Sequence, residues 1–153
     1  MIVQLSNKEK DNLYYLCYVI EVLGRKTNNR RKTIVSALGK SNIEFIYLNA
    51  EVMHSESIDA VCHEFIEKCN IKYGDYDIEV YCKDKPPRAL AIGRLYSRLI
   101  ISLLEDEDDL ISKTIEVLSS WLVDEITNFN SSLYYSVLGY LKECYLQGEI
   151  LDY

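Results

Sequence analysis

The stretch LISKTIEVLSSWLVDEITNFN, residues 110–130, places Ile111, Ile115, Leu118, Leu122, Ile126 and Phe129 at spacings of three and four. That repeat puts apolar side chains on one face of an α-helix, and nothing else in the chain is as regular. It predicts one helix running through Trp121 to Asn130. Just before it lies Glu105-Asp106-Glu107-Asp108-Asp109, a run of negative charge that suits the positive end of the following helix. Upstream, Leu95, Leu99 and Leu103 supply the stripe of a helix whose first turn can accept Pro87, where a missing amide hydrogen costs nothing. Downstream, a last helix is expected from about Val137 to Gln147, stopped at Gly148.

The first seventy residues carry the same kind of punctuation. Ser6 and Glu9 form a capping box, and a helix from about Asn7 to Leu23 follows, with Gly24 as its stop. Asn28 or Asn29 can cap a second helix through Leu38, closed by Gly39. Ser41 and Glu44 repeat the box for a third helix to about Met53. A fourth, from Ser57 or Asp59, ends at Asn70.

The composition agrees with an all-α reading. The chain has 153 residues, 48% apolar and 27% charged, which suits one globular domain. Six Gly and two Pro are too few for a sandwich or barrel with its frequent turns. We therefore expect a single domain, 1–153, with six or seven helices. Its sub-regions 1–70 and 88–153 are joined by a Tyr- and charge-rich connector over 71–87. Within that connector Tyr76, Ile78, Val80 and Cys82 alternate with polar neighbours, so a short strand is one reading of it.

Charge divides at the connector. Up to residue 70, nine Lys and Arg offset nine Asp and Glu; beyond it eight face fifteen, so the whole net charge of −7 lies in the second half. Five cysteines at irregular spacing, with no basic and then apolar leader over Met1 to Lys10, fit a reduced, cytoplasmic setting. No apolar run approaches the roughly 20 residues of a membrane span. Asn130-Ser131-Ser132 matches a glycosylation acceptor, which matters only in a secreted protein.

Catalytic and metal signatures are weak. His54, Cys62, His63 and Cys69 lack the short spacings by which ligand pairs converge on zinc, so no metal and no cofactor is expected. Gly39-Lys40-Ser41 resembles the end of a phosphate loop, but Ile34 stands where that loop needs glycine. With two histidines, both in one short stretch, and no Gly-x-Ser-x-Gly elbow, the sequence gives no support for nucleophilic catalysis.

Two surfaces stand out instead. Arg25, Lys26, Arg30, Arg31, Lys32 and Lys40 form a basic segment with no acid between Glu21 and Glu44. It precedes a helix, a Gly turn and a helix, which invites a helix-turn-helix reading with Ile43 to Glu51 in the major groove. That helix is poor in donors and carries two carboxylates, which argues against nucleic acid. The second surface is aromatic: 13 of the 17 aromatics are Tyr, a residue that protein-binding surfaces favour and that an AT-rich genome also inflates. Tyr134, Tyr135, Tyr140 and Tyr145 concentrate in the acidic half. They are candidate anchors for a partner with a basic surface, steered by Glu105 to Asp109.

Within Tyr15 to Glu67, and above all in Ile46-Tyr47-Leu48-Asn49-Ala50-Glu51-Val52-Met53-His54-Ser55-Glu56-Ser57-Ile58, the chain resembles small helical bacterial proteins often encoded beside ADP-ribosyltransferase-like proteins. The likeness covers about a third of the chain and implies an antitoxin-like or accessory partner in a bacterial or phage setting. It transfers no catalytic residue. Three classes of function follow, in this order: a non-catalytic protein-binding protein that inhibits or regulates another protein, a helix-turn-helix DNA-binding regulator, and a small enzyme with an unrecognised site. Homo-oligomerisation is compatible with the first.

Overall fold

The computed structural model describes residues 4–152, and its fold is all-α. Nine helices are present among the described residues: α1 (Asn7–Thr27), α2 (Arg31–Leu48), α3 (Ala50–Met53), α4 (Ile58–Lys68), α5 (Ile78–Tyr81), α6 (Ala89–Leu103), α7 (Leu110–Leu118), α8 (Trp121–Ile126) and α9 (Leu138–Gln147). Six of them are seven residues or longer. The alternating stretch of the connector is not a strand. Asp77 caps a single helical turn, α5, by accepting from the amides of Glu79 and Val80.

The capping box of α1 forms as the sequence predicts: Ser6 Oγ accepts from the Glu9 amide at 3.1 Å, and Glu9 accepts from the Ser6 amide at 2.9 Å. Ser57 caps α4, and Gly148 closes α9 in the left-handed region. Four boundaries differ from expectation. Helix α1 runs through Gly24 to Thr27, and Asn28, rather than capping a second helix, ends the first at φ 56°. The helical backbone of α2 breaks at Gly39, at φ 76° and ψ 162°, where the sequence places a stop with positive φ, but the helix expected to run on from there to Met53 breaks at Asn49. Helix α6 begins at Ala89, so Pro87 precedes it. The long periodic stretch is two helices, α7 and α8, parted at Ser119 and Ser120; both keep their apolar faces inward across the break.

Helix α1 is central. Leu13, Leu16, Cys17, Val19, Ile20 and Leu23 are fully buried, which is what a helix apolar over much of its circumference requires. Helix α6 lies closely against it: a Cβ on Gly93 would stand 2.9 Å from the Tyr18 Cα. Helices α2, α3 and α4 also pack on α1, while α7 lies on α2 and α9 on α6.

The connector is fastened to the α1–α2 turn and to the segment after α8. The Gly74 and Tyr76 amides donate to the Thr27 and Asn28 carbonyls, both at 2.8 Å. Asn29 donates to the Lys72 carbonyl at 2.8 Å. Asn130 donates to the Tyr81 carbonyl and accepts from the Lys83 amide, at 2.6 and 2.8 Å. Tyr76 shares a hydrogen bond of 2.8 Å with Thr127. Ile71 and Ile78 are its buried apolar pegs.

Candidate functional site

The basic segment does not form one free positive face. Arg31 is 1% exposed, and its guanidinium grips Glu21 with two bonds, Nε to Oε1 at 2.8 Å and Nη2 to Oε2 at 2.7 Å. Arg25 Nε adds a third at 2.7 Å. Burial is the largest single influence on Glu21 and would raise its pKa; the charges and hydrogen bonds of Arg31 and Arg25 together overcome it and hold the carboxyl at about 2. The remaining members also meet carboxylates: Lys26 at Asp59 (2.7 Å), Arg30 and Lys32 at Asp124 (both 3.6 Å) and Lys40 at Asp109 (3.6 Å). The segment is a set of ties between helices. Its expected surface role is corrected for Arg31, which is interior.

The face that a recognition helix would present carries Glu44, Phe45, Leu48, Glu51 and Val52, all exposed. Of the four metal-capable residues, Cys62 is buried, His63 pairs with Glu67, and His54 lies edge-on to Tyr15. Among the described residues no group of three or more His, Cys, Asp or Glu is arranged to hold a metal ion. No helix among them is long and apolar enough to cross a membrane.

The four tyrosines divide by environment. Tyr140 donates to the Leu151 carbonyl at 2.6 Å, fastening the segment after α9 back onto it, and Tyr145 donates to Glu116 at 2.9 Å, tying α9 to α7. Burial, then Glu116, pushes the Tyr145 hydroxyl up to about 12. Tyr134 sets its ring at right angles to Phe129, 5.4 Å between centroids, and stacks against Tyr135 at 4.2 Å. Hydrogen bonding with Tyr135, more than any other influence, raises Tyr134 to about 12. Tyr135 itself is 78% exposed.

Three further exposed residues lie on the segments that Asn130 joins. Val137 follows in the chain, and the Asn130 clasp draws Tyr81, with Val80, to the segment that leads into the 3-10 turn Leu133–Tyr135. Val80, Tyr81 and Val137 are 73%, 62% and 74% exposed. A cleft of about 470 Å3 lies beside them between the connector and α8, and in it Arg30 sits 4.3 Å over the Tyr76 ring. The sequence marks Tyr135 through its aromatic cluster; nothing in it pairs residue 81 with residue 130.

All five residues of the acidic run are exposed. Asp109 caps α7 through Ser112 and meets Lys40, while Asp108 meets Lys113 at 3.5 Å. Glu105, Asp106 and Glu107 form no ion pair among the described residues. Lys40 marks this end of α7, and Arg30 and Lys32 mark Asp124 at the other end of the α7–α8 arm. The acidic run and the tyrosine surface thus occupy opposite ends of one arm. Comparison with family models, with curated proteins and with solved structures finds no match to this chain.

Proposed function

We propose that this chain is a non-catalytic protein-binding protein, antitoxin-like or inhibitory, that docks its partner on the surface centred on Tyr135. The observation that carries this reading is that Val80, Tyr81, Tyr135 and Val137, each more than 60% exposed, stand on two segments that Asn130 joins. Large apolar side chains brought together in water mark interaction surfaces, and tyrosine anchors often carry most of an interface's energy. The free carboxylates Glu105, Asp106 and Glu107 act at a distance, on the rate at which a basic partner arrives.

The test is site-specific photo-crosslinking in the native host from position 135, with position 44 on the exposed face of α2 as control. A partner captured from 135 and not from 44 is then titrated against variants. Tyr135→Ala should weaken binding by about 2 kcal/mol or more with an unchanged circular dichroism spectrum. Neutralising residues 105–107 should slow association and leave dissociation nearly unchanged. Binding that survives Tyr135→Ala and Tyr81→Ala but is abolished by Arg30→Glu with Lys32→Glu overturns the reading in favour of an acidic partner.

A further inference from the structure

A groove of about 660 Å3 runs along α1, floored by Tyr14, Tyr15 and Tyr18, with His54 of the α3 end on one bank and Leu90 of α6 on the other. We propose that this groove binds an uncharged heteroaromatic ring of the nucleobase class, as free base or nucleoside. It is separate from the Tyr135 surface and does not depend on that surface being a docking site.

Three observations support it. The volume falls in the range of small-molecule sites, roughly 300–1,000 Å3. The rings are tilted rather than stacked flat: Tyr15 stands at 64° to Tyr18 and at 61° to His54, with centroids 6.5 and 5.8 Å apart. With Tyr15 buried and Tyr14 covered by Arg94, the partly exposed Tyr18 ring is the one a planar guest can meet, against the edges of its neighbours. Beneath it, the Tyr15 hydroxyl is closed off from solvent and has no hydrogen-bond partner among the described residues, although Tyr15 is only 7% exposed. Buried hydroxyls are nearly always paired, so an unpaired one in the wall of a groove points to an acceptor that arrives with a ligand, directly or through a water it holds. Burial first, then Cys62, Glu56 and Tyr18, raises this hydroxyl to about 12, which keeps it a donor. Asn12, in the same wall, offers an amide with both donor and acceptor, the pair that a base edge requires.

The charges select the form of the guest. Lys8 is tied to Glu51 across the lip at 3.8 Å, and Arg94 already covers the Tyr14 ring at 4.7 Å, so the groove has neither a free cation for phosphate nor an open Tyr14 face for an organic cation. With Glu51 offset by Lys8, Asp11 leaves this lining net negative, which disfavours phosphate. A nucleoside is therefore favoured over its monophosphate and over nucleic acid.

Titration calorimetry of the full chain with adenosine, guanosine, their 5′-monophosphates, L-arginine and a short single-stranded oligonucleotide tests this. At least one nucleoside should bind saturably, and its monophosphate about tenfold or more weaker, as expected when a charge meets like charge. Leu90→Glu, at a partly exposed position, should weaken the nucleoside about tenfold. Tyr15→Phe should weaken it about fivefold without lowering the melting temperature, a combination that loss of folding cannot produce. No saturable nucleoside binding up to millimolar concentration, tighter binding of arginine or the oligonucleotide, or an affinity unchanged by either variant overturns the proposal.

Discussion

Tyr96 of α6 donates its hydroxyl at 2.8 Å to the same Glu21 oxygen that receives the Nε of Arg31. One carboxylate of α1 therefore joins α6, the start of α2 and, through Arg25, its own next turn. All three of Glu21, Arg31 and Tyr96 are almost completely buried. A buried charge keeps its ionised form only when its bonds are satisfied, and here four donors meet two oxygens.

Removing one member of this node should be costly. Arg31→Ala leaves Glu21 under-compensated in the interior and is expected to cost about 3 to 5 kcal/mol in urea unfolding. Glu21→Leu combined with Arg31→Met should lie well above the sum of the single losses, because neither uncompensated charge remains.

Acid should release the same node. Glu21 is held at about 2 when folded, against 4.5 ordinarily. The folded form thus binds fewer protons than the unfolded one between these values, so the stabilisation is complete above about pH 4.5 and is lost as pH falls through about 2. Urea midpoints measured from pH 5 to 2 should fall less steeply in Glu21→Gln, by about one proton's worth of slope.

Gly24→Ala should reverse the usual sign of its class. In most helices that change stabilises by roughly 0.5 to 1 kcal/mol. At Gly24 a Cβ would stand 2.6 to 2.8 Å from the Arg31 side chain, which is pinned by Glu21 and has no room to retreat. A loss of about 1 to 3 kcal/mol is expected. Gly139→Ala, with nothing within 4 Å of its Cβ, should gain instead. Thermal unfolding of the pair checks the contrast.

Native alkylation should divide the five free cysteines. Cys17, Cys62 and Cys144 are buried, and burial raises the thiols of Cys17 and Cys62, the latter to about 12. Only Cys69 and Cys82, half exposed, should react with iodoacetamide before denaturant is added, as peptide mass mapping will show.

These contacts also explain which features were legible beforehand. Caps are local chemistry, so Ser6 with Glu9, Ser57 and Gly148 could be read three or four residues at a time. Gly24 looked like a stop because glycine commonly ends helices, yet its reason is tertiary: it is the slot in α1 into which Arg31 lies. The break at Ser119 and Ser120 left no trace in the periodicity, because α7 and α8 face the same core. At the surface, Arg31 read as one more positive charge since its partner stands ten residues away with no pattern linking them. Tyr135 was visible within its cluster. Val80 and Tyr81 were not, because the Asn130 clasp spans 47 to 49 residues.

The connector's fastenings differ in kind from the Glu21 node. Asn29, Asn130, Thr127 and the backbone amides of Gly74 and Tyr76 carry no ionisable group, so neither acid nor moderate salt has a handle on them. The molecule consequently has two locks with different keys. Acid approaching pH 2 should loosen the helical interior around Glu21 while segment 71–87 stays latched, and the tyrosine surface it helps to build should outlast the first stage of acid opening rather than dissolve with it.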